Sequence, residues 1–393
     1  MESMDPELSF VIPCLNESAT LAVVIAECHQ AGALVSGGYE IIVADNGSSD
    51  GSQQIAVANG AQLVDVPIKG YGAALAAGIA KAKGHYVLMG DADSTYDFRA
   101  APLFISKLNQ GYDLVMGNRF MGTISRGAMP LLHRFLGNPI LSALGRLFFG
   151  ITVGDFHCGL RAFDREAINS LNLRCPGMEF ASEMVIKASL MDLRTSEIPT
   201  NLRPNPPGRV PHLNTWRDGW RHLKYMLSFA PKFSMLPISA VLFLIAIILI
   251  SSYLTQTPPF TGSNTLVFSV SCLIASVSIL SDYLLTREMV YSRYISRKSR
   301  QSFFFDRLLG LHRGTDRLFL VAGITFIISL LGFAGLLVFA LQGLLSLQAA
   351  SLCGLIACAF VLVSISTYLT ATKITSYRSL HPPGASRASR TSC

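Results

Sequence analysis

The chain has 393 residues, of which 50% are hydrophobic and only 15% are charged, and its formal net charge is +7. It is too apolar for an average soluble protein, and its first half is too charged for a pure bundle of membrane helices. Residues 1–230 are typical of a globular domain with one sizeable core, and four long apolar segments follow. Nucleic acid is not indicated as a partner, because many basic residues lie beside the apolar segments and suit anionic lipid headgroups.

The termini and the cysteines indicate the compartment. The 8 cysteines show no C-x-x-C pair and no His/Cys metal spacing, so we expect free thiols that face a reducing cytosol. Residues 1–5 are acidic and show no signal-peptide pattern. We therefore expect the N-terminal domain to stay in the cytoplasm.

The first half alternates short β-type runs with helical stretches. The predicted strands cover residues 8–13, 40–44, 62–65, 85–89 and 113–116, and the predicted helices cover residues 18–30, 52–59 and 71–83. This alternation predicts parallel βαβ units and a doubly wound α/β sheet.

Two aspartates follow the fourth predicted strand. Asp91 and Asp93 lie one residue apart at the C-terminal end of an apolar run, where open α/β sheets bind ligands. Carboxylates in this arrangement suit Mg²⁺ or Mn²⁺, which usually share their coordination with substrate phosphates. Taken alone, the pair is also compatible with a solvated turn.

Three further motifs sit at predicted strand ends and would converge with these aspartates. They are Pro13-Cys14-Leu15-Asn16-Glu17, Asp45-Asn46-Gly47-Ser48-Ser49-Asp50-Gly51 and Lys69-Gly70-Tyr71-Gly72-Ala73. The first motif is also typical of an ordinary helix N-cap, and the second is also typical of a turn with a helix cap. The third lets the backbone approach a ligand and offers Lys69 to a phosphate. It lacks the full dinucleotide fingerprint and follows the third strand, which argues against NAD.

Four apolar segments, at residues 233–253, 265–285, 318–343 and 347–372, reach the length of about 20 residues that a membrane-spanning helix needs. The connections at 255–264 and 342–348 carry no charge, whereas the middle loop and the tail are basic. We therefore predict a multi-pass protein of the inner or plasma membrane, with both termini in the cytoplasm. The membrane domain would cover residues 231–375, and residues 376–393 are expected to be disordered. Arg217 and Arg221, which precede the first segment, suit lipid headgroups.

The motif series resembles the family 2 glycosyltransferases with the GT-A fold. It consists of Pro13/Asn16/Glu17, Asp45-x-Gly-Ser-x-Asp, Lys69-Gly-x-Gly-Ala, Asp91-Ala-Asp93 and Gly117-Asn118-Arg119. The later runs at residues 155–163 and 179–183 are similar to the polyprenyl-phosphate glycosyltransferases and the dolichol-phosphate mannose synthases. The resemblance covers residues 8–230. It implies a Rossmann-like, mixed but mostly parallel sheet in a cytoplasmic domain over residues 1–230. Interfacial amphipathic helices are expected at residues 130–150, where apolar residues alternate with Arg134 and Arg146, and at residues 214–232. The four apolar segments predict a C-terminal bundle of four transmembrane helices, which resembles the four-helix members of the family in layout only.

The resemblance implies a role for individual residues. Nucleotide-sugar contacts would come from Pro13, Asn16, Glu17, Asp45, Lys69, Asp91 and, on a mobile loop, Arg209. Asp91 and Asp93 would hold Mg²⁺ or Mn²⁺, with Thr95 at the position where the family often has a glutamine. The acceptor phosphate would contact Arg119, Arg134 and Asn138. The catalytic residues would be Asp91, Asp93, Arg119 and Arg134.

Several of these residues have a structural alternative. Arg134 is equally typical of a membrane-surface cation without a catalytic role. His212, which falls where the family has Ser-Lys, is typical of a solvated loop histidine. Glu179 and Glu183 lie one helical turn apart and could serve the site or pair with Arg161 or Lys187.

The expected reaction is the metal-dependent transfer of a hexose from a UDP- or GDP-sugar to undecaprenyl or dolichyl phosphate. A lipid monophosphate is already a nucleophile at neutral pH, so direct displacement would invert the anomeric centre without a strong base. This would serve cell-envelope glycan synthesis, and a homo-oligomer is possible. The alternatives are transfer to a hydroxyl-bearing lipid such as diacylglycerol or ceramide, and a transporter or channel with a nucleotide-binding domain. A processive polysaccharide synthase is disfavoured because its Gln-x-x-Arg-Trp signature is absent.

Overall fold

The computed structural model describes residues 5–206, 215–258 and 262–294, together with a few helical residues between 324 and 370. The chain divides into two compact units, Met1–Met226 and Leu227–Cys393. Arg209 and His212 lie outside the described residues, as does most of the third and fourth predicted membrane segments. What we expect of them stays a prediction.

One seven-stranded sheet forms the centre of the first unit, in the order β3-β2-β1-β4-β6-β5-β7. Its strands are β1 (Leu8–Cys14), β2 (Tyr39–Asp45), β3 (Gln62–Asp65), β4 (Tyr86–Met89), β5 (Leu114–Asn118), β6 (Arg161–Asp164) and β7 (Thr195–Pro199). All neighbours pair in parallel except β6, which is antiparallel to both β4 and β5. The prediction of a mixed, mostly parallel sheet is confirmed.

Most helices of this unit lie between the strands in the chain, and the last one follows β7. They are α1 (Leu21–Gly32), α2 (Ser52–Ala58), α3 (Tyr71–Lys81), α4 (Ala101–Leu108), α5 (Asn138–Phe149), α6 (Arg165–Asn169), α7 (Phe180–Leu190) and α8 (Thr215–Phe229). A 3₁₀ turn at Phe98–Ala100 precedes α4, and a π-helical turn at His133–Gly137 leads directly into α5.

Helices cover both faces of the sheet, which explains why every residue of β1 is buried. Phe10 and Ile12 belong to a core cluster that includes residues of α1 and α4. Val11, which points to the opposite face, lies against α3 at Gly78. A Cβ at Gly78 would stand 2.5 Å from Cγ1 of Val11, so only glycine permits this close packing of helix on sheet.

The sheet topology brings the predicted motifs to one edge. β1, β2 and β4 are parallel neighbours, and Cys14 at the end of β1 pairs with Asp45 at the end of β2. β5 runs in the same direction as β4, because both are antiparallel to β6. The segments that follow these four strands therefore emerge on the same side of the domain.

The second unit contains α9 (Pro231–Ser234), α10 (Leu236–Leu254) and α11 (Ser263–Tyr294). Pro231–Leu254 and Thr265–Arg287 are long and apolar enough to cross a membrane. The hydroxyl of Ser239 donates to the carbonyl of Ser276 at 2.9 Å, and the hydroxyl of Ser276 donates to the carbonyl of Ser239 at 2.8 Å. This reciprocal pair joins α10 to α11. The first two predicted apolar segments are thus helical, and α11 extends nine residues past the predicted end at residue 285.

Candidate functional site

A cavity of about 740 Å³ opens at the edge of the sheet where the motifs meet. Its lining includes Pro13, Glu17, Asn46, Lys69, Tyr71, Asp91, Asp93, Thr95, Arg119, His133, Asn138, Arg217, Asp218 and Arg221. The motifs that follow β1, β3 and β4 therefore contribute predicted site residues to one cavity. The motif that follows β2 contributes Asn46, which was not a predicted site residue.

The two aspartates are held by different hydrogen bonds. Oδ1 of Asp91 accepts a bond of 2.9 Å from the hydroxyl of Tyr71, the first residue of α3. Oδ1 of Asp93 accepts from the Thr95 amide at 3.0 Å and from the Thr95 hydroxyl at 2.5 Å. Thr95 therefore orients Asp93, which is a role that its position in the sequence did not predict.

Asn46 ties two loops together at the side of the cavity. Its Nδ2 donates to the carbonyls of Val66 at 3.1 Å and Ile68 at 2.8 Å, and its Oδ1 accepts from the Gly70 amide at 2.7 Å. Nζ of Lys69 donates to the Asn46 carbonyl at 2.6 Å. A backbone carbonyl, and not a carboxylate, thereby holds the Lys69 side chain at the cavity wall.

Gly70 is required by its geometry. Its φ of +136° is outside the range that L side chains normally adopt, and a Cβ there would lie 2.1 Å from the carbonyl oxygen of Pro176. The glycine-rich loop predicted to approach a ligand is thus also fixed against the segment that precedes α7.

Asp45 and Asn16 are close to the cavity in sequence but are not part of its lining. Asp45 is fully buried, and its Oδ2 accepts from the amides of Gly47 and Ser48 and from Nε2 of Gln53. Burial raises the pKa of this carboxyl, but these hydrogen bonds outweigh burial and hold the pKa below its usual 3.8. Its Oδ1 has no partner among the residues that the structure describes. Asn16 is exposed, with φ of 56°, and its Oδ1 accepts from the Ser49 amide at 2.8 Å.

Arg119 forms a bidentate ion pair with Asp155. Its Nε donates to Oδ2 at 2.7 Å, its Nη2 donates to Oδ1 at 2.8 Å, and its backbone amide also donates to Oδ2 at 3.0 Å. Asp155 is fully buried and Arg119 is 8% exposed. The sequence indicated both residues as motif members, but their pairing across 36 positions was not predicted.

The three residues expected near the acceptor do not all reach the cavity. Arg119 and Asn138 line it, whereas Arg134 is half-buried and does not. His133, which was not predicted, also lines it. The guanidinium carbon of Arg134 lies 5.5 Å from the ring centroid of Phe135, which is 69% exposed. This position favours the alternative that Arg134 is a membrane-surface cation.

Glu183 forms an ion pair with Lys187, which was the alternative to a role in the site. Its Oε1 lies 2.6 Å from Nζ of Lys187, and both side chains are almost fully buried. Its Oε2 accepts from the amides of Arg174 and Cys175. Glu179 lies 3.7 Å from Nε of Arg221, so this carboxylate meets α8 rather than Arg161 or Lys187.

Three cavity-lining residues on α8 were not predicted as site residues: Arg217, Asp218 and Arg221. The sequence assigned both arginines to lipid headgroups. Asp218, His222 and Met226 are spaced four residues apart on α8 and all three are buried, which only the structure shows.

The donor set suits a hard cation. Within the described ranges, no group of three or more His, Cys, Asp or Glu side chains forms a complete protein cage for a metal. Two carboxylates at the wall of one cavity are instead what Mg²⁺ or Mn²⁺ needs when it shares its coordination with phosphate oxygens and water.

Comparison with known proteins shows the family. The model of the family described as Glycosyl transferase family 2 matches residues 9–171. The low-salt glycan biosynthesis hexosyltransferase Agl6 of Haloferax volcanii is 40% identical over 227 residues, which are 58% of this chain and 54% of that protein. The dolichyl-phosphate hexose transferase of the same organism is 30% identical over 50% of this chain and 83% of its own length.

A bacterial relative is similar over half of the chain. The undecaprenyl-phosphate 4-deoxy-4-formamido-L-arabinose transferase of Aeromonas hydrophila is 32% identical over 50% of this chain and 60% of its own length. A solved glucosyl-3-phosphoglycerate synthase from Mycobacterium tuberculosis aligns over 57% of this chain and 79% of that chain at 26% identity, with a TM-score of 0.45. The alignment to Agl6 spans about half of that relative. From the family match and the identity to these relatives, the chain belongs to glycosyl transferase family 2.

Proposed function

We propose that the protein transfers a hexose from a nucleotide-diphosphate sugar to a polyprenyl phosphate at a membrane surface. The observation that carries the proposal is the single cavity in which Asp91, Asp93 and Lys69 meet Arg119 and Arg221. Carboxylates for a metal and cations for phosphate groups are the two kinds of side chain that such a transfer needs. Two relatives carry names that specify dolichyl-phosphate and undecaprenyl-phosphate transfer, which supports the choice of acceptor.

The donor would lie against the loops that follow β1, β2 and β3. Pro13 and Glu17 line this side of the cavity together with Lys69, which suits a diphosphate oxygen. Asp45 and Asn16 would contribute to nucleotide recognition after local movement. Oδ1 of Asp45, which has no partner within the described ranges, is an acceptor for a base N–H or a ribose hydroxyl. Arg209 remains a proposed donor contact.

Asp91 and Asp93 would hold Mg²⁺ or Mn²⁺, and a bound ion would supply positive charge to the diphosphate as it leaves. The protein prepares both carboxylates for this task. Tyr71 fixes one oxygen of Asp91 and Thr95 fixes one oxygen of Asp93, so each side chain keeps its orientation in the cavity.

The acceptor phosphate is ionised at neutral pH, so the protein needs to hold and orient it rather than deprotonate it. Arg119 and Asn138 are the proposed acceptor contacts that line the cavity. Attack by a phosphate oxygen on the anomeric carbon, opposite to the departing diphosphate, would form the glycosyl phosphodiester and invert the anomeric centre. Arg134 would act at the membrane surface.

A membrane position is supported by exposed apolar side chains next to the cavity. Leu131, Phe135 and Leu136 are 73%, 69% and 50% exposed, and they lie between the cavity-lining residues Pro130 and Asn138. Exposed apolar residues of this kind suit an interfacial helix. Together with the two candidate spans, they support an integral membrane protein. A cytoplasmic catalytic domain remains a proposal that rests on the basic loop and tail of the sequence.

A panel of donors and acceptors tests the proposal. Radiolabelled UDP- and GDP-hexoses are incubated with the full chain in detergent, with Mg²⁺ or Mn²⁺, and with undecaprenyl phosphate, dolichyl phosphate, diacylglycerol or ceramide. We expect label in a polyprenyl-phosphate product and its loss in Asp93→Asn. Label only in diacylglycerol or ceramide would replace the proposal by the alternative of a hydroxyl-bearing lipid acceptor.

A further inference from the structure

Helix α8 presents two different surfaces. Asp218, His222 and Met226 are buried, with exposed fractions of 3%, 7% and 0%. Trp216 and Trp220 are 78% and 61% exposed, so two large aromatic side chains one turn apart point away from the domain. Exposed tryptophans of this kind are typical of the headgroup level of a membrane, where their amphipathic rings are stable.

Arg217 and Arg221 follow these tryptophans directly in the chain, and both line the cavity. The same helix therefore carries a surface suited to lipid headgroups and two cations that face the proposed reaction space. A polyprenyl phosphate would extend from one environment to the other, because its chain stays in the membrane while its phosphate reaches the donor.

Two other cavity-lining cations, Lys69 and Arg119, already have close hydrogen-bond partners, and Nε of Arg217 lies 3.5 Å from Asp218. Nζ of Lys69 donates to the Asn46 carbonyl, and Nε and Nη2 of Arg119 are both bonded to Asp155. Arg221 is held more loosely. Its nearest carboxylates among the described residues are Glu179 at 3.7 Å and Asp218 at 3.9 Å, which are ion-pair distances longer than a hydrogen bond.

These two carboxylates restrain the guanidinium of Arg221 without using its N–H groups at hydrogen-bond distance. Its side chain is 46% exposed, so a ligand can reach it. Arginine is well suited to this position, because its planar fork binds a phosphate through two parallel N–H groups.

We propose that Arg221 binds the phosphate of the lipid acceptor, with Trp216 and Trp220 placing α8 at headgroup level. The inference rests on the proposed function in that it names the contact by which that reaction would recognise its acceptor. It differs from the assignment made from the sequence, in which Arg119 and Arg134 were the arginines of the acceptor site.

The test measures binding without requiring sugar transfer. The full chain in detergent is titrated with farnesyl phosphate and with farnesol, and separately with UDP and GDP. The variants are Arg221→Gln and Arg221→Lys, and the control is Lys224→Gln, which removes the same charge from an exposed position of α8 outside the cavity lining.

We expect the wild-type chain to bind farnesyl phosphate at least about tenfold more tightly than farnesol. Arg221→Gln should lose about tenfold of this preference, Arg221→Lys should keep part of it, and Lys224→Gln should keep all of it. Nucleotide binding should be the same in all four proteins. Equal melting temperatures would show that the variants are folded.

Three results would overturn the inference: a wild-type chain that does not distinguish the phosphate from the alcohol, an Arg221→Gln variant that binds farnesyl phosphate normally, or one that loses nucleotide binding instead. A phosphate preference that depends on Arg221, in a chain that transfers no sugar to any polyprenyl phosphate, would support the inference and contradict the proposed function. Sugar transfer to a polyprenyl phosphate, with unchanged binding of farnesyl phosphate in Arg221→Gln, would support the proposed function and contradict the inference.

Discussion

The hydroxyl of Tyr71 donates a hydrogen bond of 2.9 Å to Oδ1 of Asp91, which links the glycine-rich loop before α3 to the aspartate pair after β4. Burial raises the pKa of this phenol well above its usual range, so Tyr71 remains a donor at every physiological pH. One oxygen of Asp91 is thereby fixed before any ligand arrives.

Replacing Tyr71 by phenylalanine should lower kcat/KM by about tenfold or more, because a hydrogen bond to a charged group contributes about 1.5–3 kcal/mol. We also expect the variant to need more Mg²⁺ or Mn²⁺ for half-maximal activity. Tyr86→Phe is the matched control, since the Tyr86 hydroxyl donates to Asn109 at the same distance of 2.9 Å outside the cavity lining. Wild-type metal dependence in Tyr71→Phe would contradict a role in orienting Asp91.

Thr95 offers a comparison that separates shape from hydrogen bonding. Thr95→Val keeps the volume and the backbone N–H but removes the hydroxyl that donates to Asp93, so we expect activity to fall by about tenfold. Thr95→Ser keeps the hydroxyl and should retain most of the activity. Metal-dependent transfer rates at saturating donor make the comparison, and equal rates for the two variants would show that the hydroxyl does not matter.

The buried pair of Arg119 and Asp155 should contribute to stability as well as to the site. Arg119→Ala leaves a fully buried carboxylate without its partner, which is expected to lower the free energy of unfolding by about 3–5 kcal/mol. Thermal unfolding of the full chain in detergent measures the change.

Arg99→Ala serves as the control, because Arg99 also forms a bidentate pair, with Asp97, but at an exposed position. Its melting temperature should equal that of the wild type. If the two variants unfold at the same temperature, the burial of the Arg119 pair has no energetic consequence.

His157 makes stability depend on pH. Both of its ring nitrogens are buried without a hydrogen-bond partner in the described part of the chain, and its ring centroid lies 4.8 Å from that of His222. Burial, together with His222, Arg119 and Arg161, holds the pKa of His157 well below 6.5, and burial also lowers the pKa of His222, against the opposing charges of Glu179 and Asp218.

A histidine of lowered pKa stays neutral in the folded chain while the unfolded chain takes up a proton below pH 6.5. Stability is therefore complete above this pH and falls as the pH drops below it, by up to about 1.4 kcal/mol per pH unit for each such histidine. We expect His157→Phe to be at least as stable as the wild type near neutral pH and to lose less melting temperature on acidification. A parallel loss in both proteins would show that His157 is not the group responsible.

The sequence predicted the parallel half of the sheet because its strands are apolar runs that end at polar motifs. The predicted third strand and β3 have the same bounds. The first and fourth predicted strands differ from β1 and β4 by one residue at one end, and the second differs from β2 by one residue at each end. The aspartates after β4 could be assigned to the cavity edge for the same reason.

Strand β6 could not be predicted in this way, because it begins with a charged residue that is fully buried. Arg161 is satisfied by the carbonyls of Cys158, Ala181 and Phe156 through three different nitrogens. One of these acceptors lies 20 positions away, on α7. A local hydrophobic pattern contains no information on such compensation, so the antiparallel strand between β4 and β5 appears only in the fold.

The site shows the same limit. Motifs at strand ends were recognisable from local spacing, but Arg221 reaches the cavity through the packing of Asp218, His222 and Met226, which lies beyond local sequence. Conversely, Arg134 is close to Asn138 in the sequence but only Asn138 lines the cavity.

The most direct measurement of the central claim is the chemical linkage in the lipid product. The full chain is incubated with a labelled nucleotide sugar, a divalent metal ion and polyprenyl phosphate, and the product is analysed by mild acid hydrolysis and mass spectrometry beside Asp93→Asn. The account predicts a sugar that is joined to the lipid through a single phosphate, released by mild acid and absent in the variant. An acid-stable glycoside on a lipid hydroxyl, or equal product from Asp93→Asn, would contradict it.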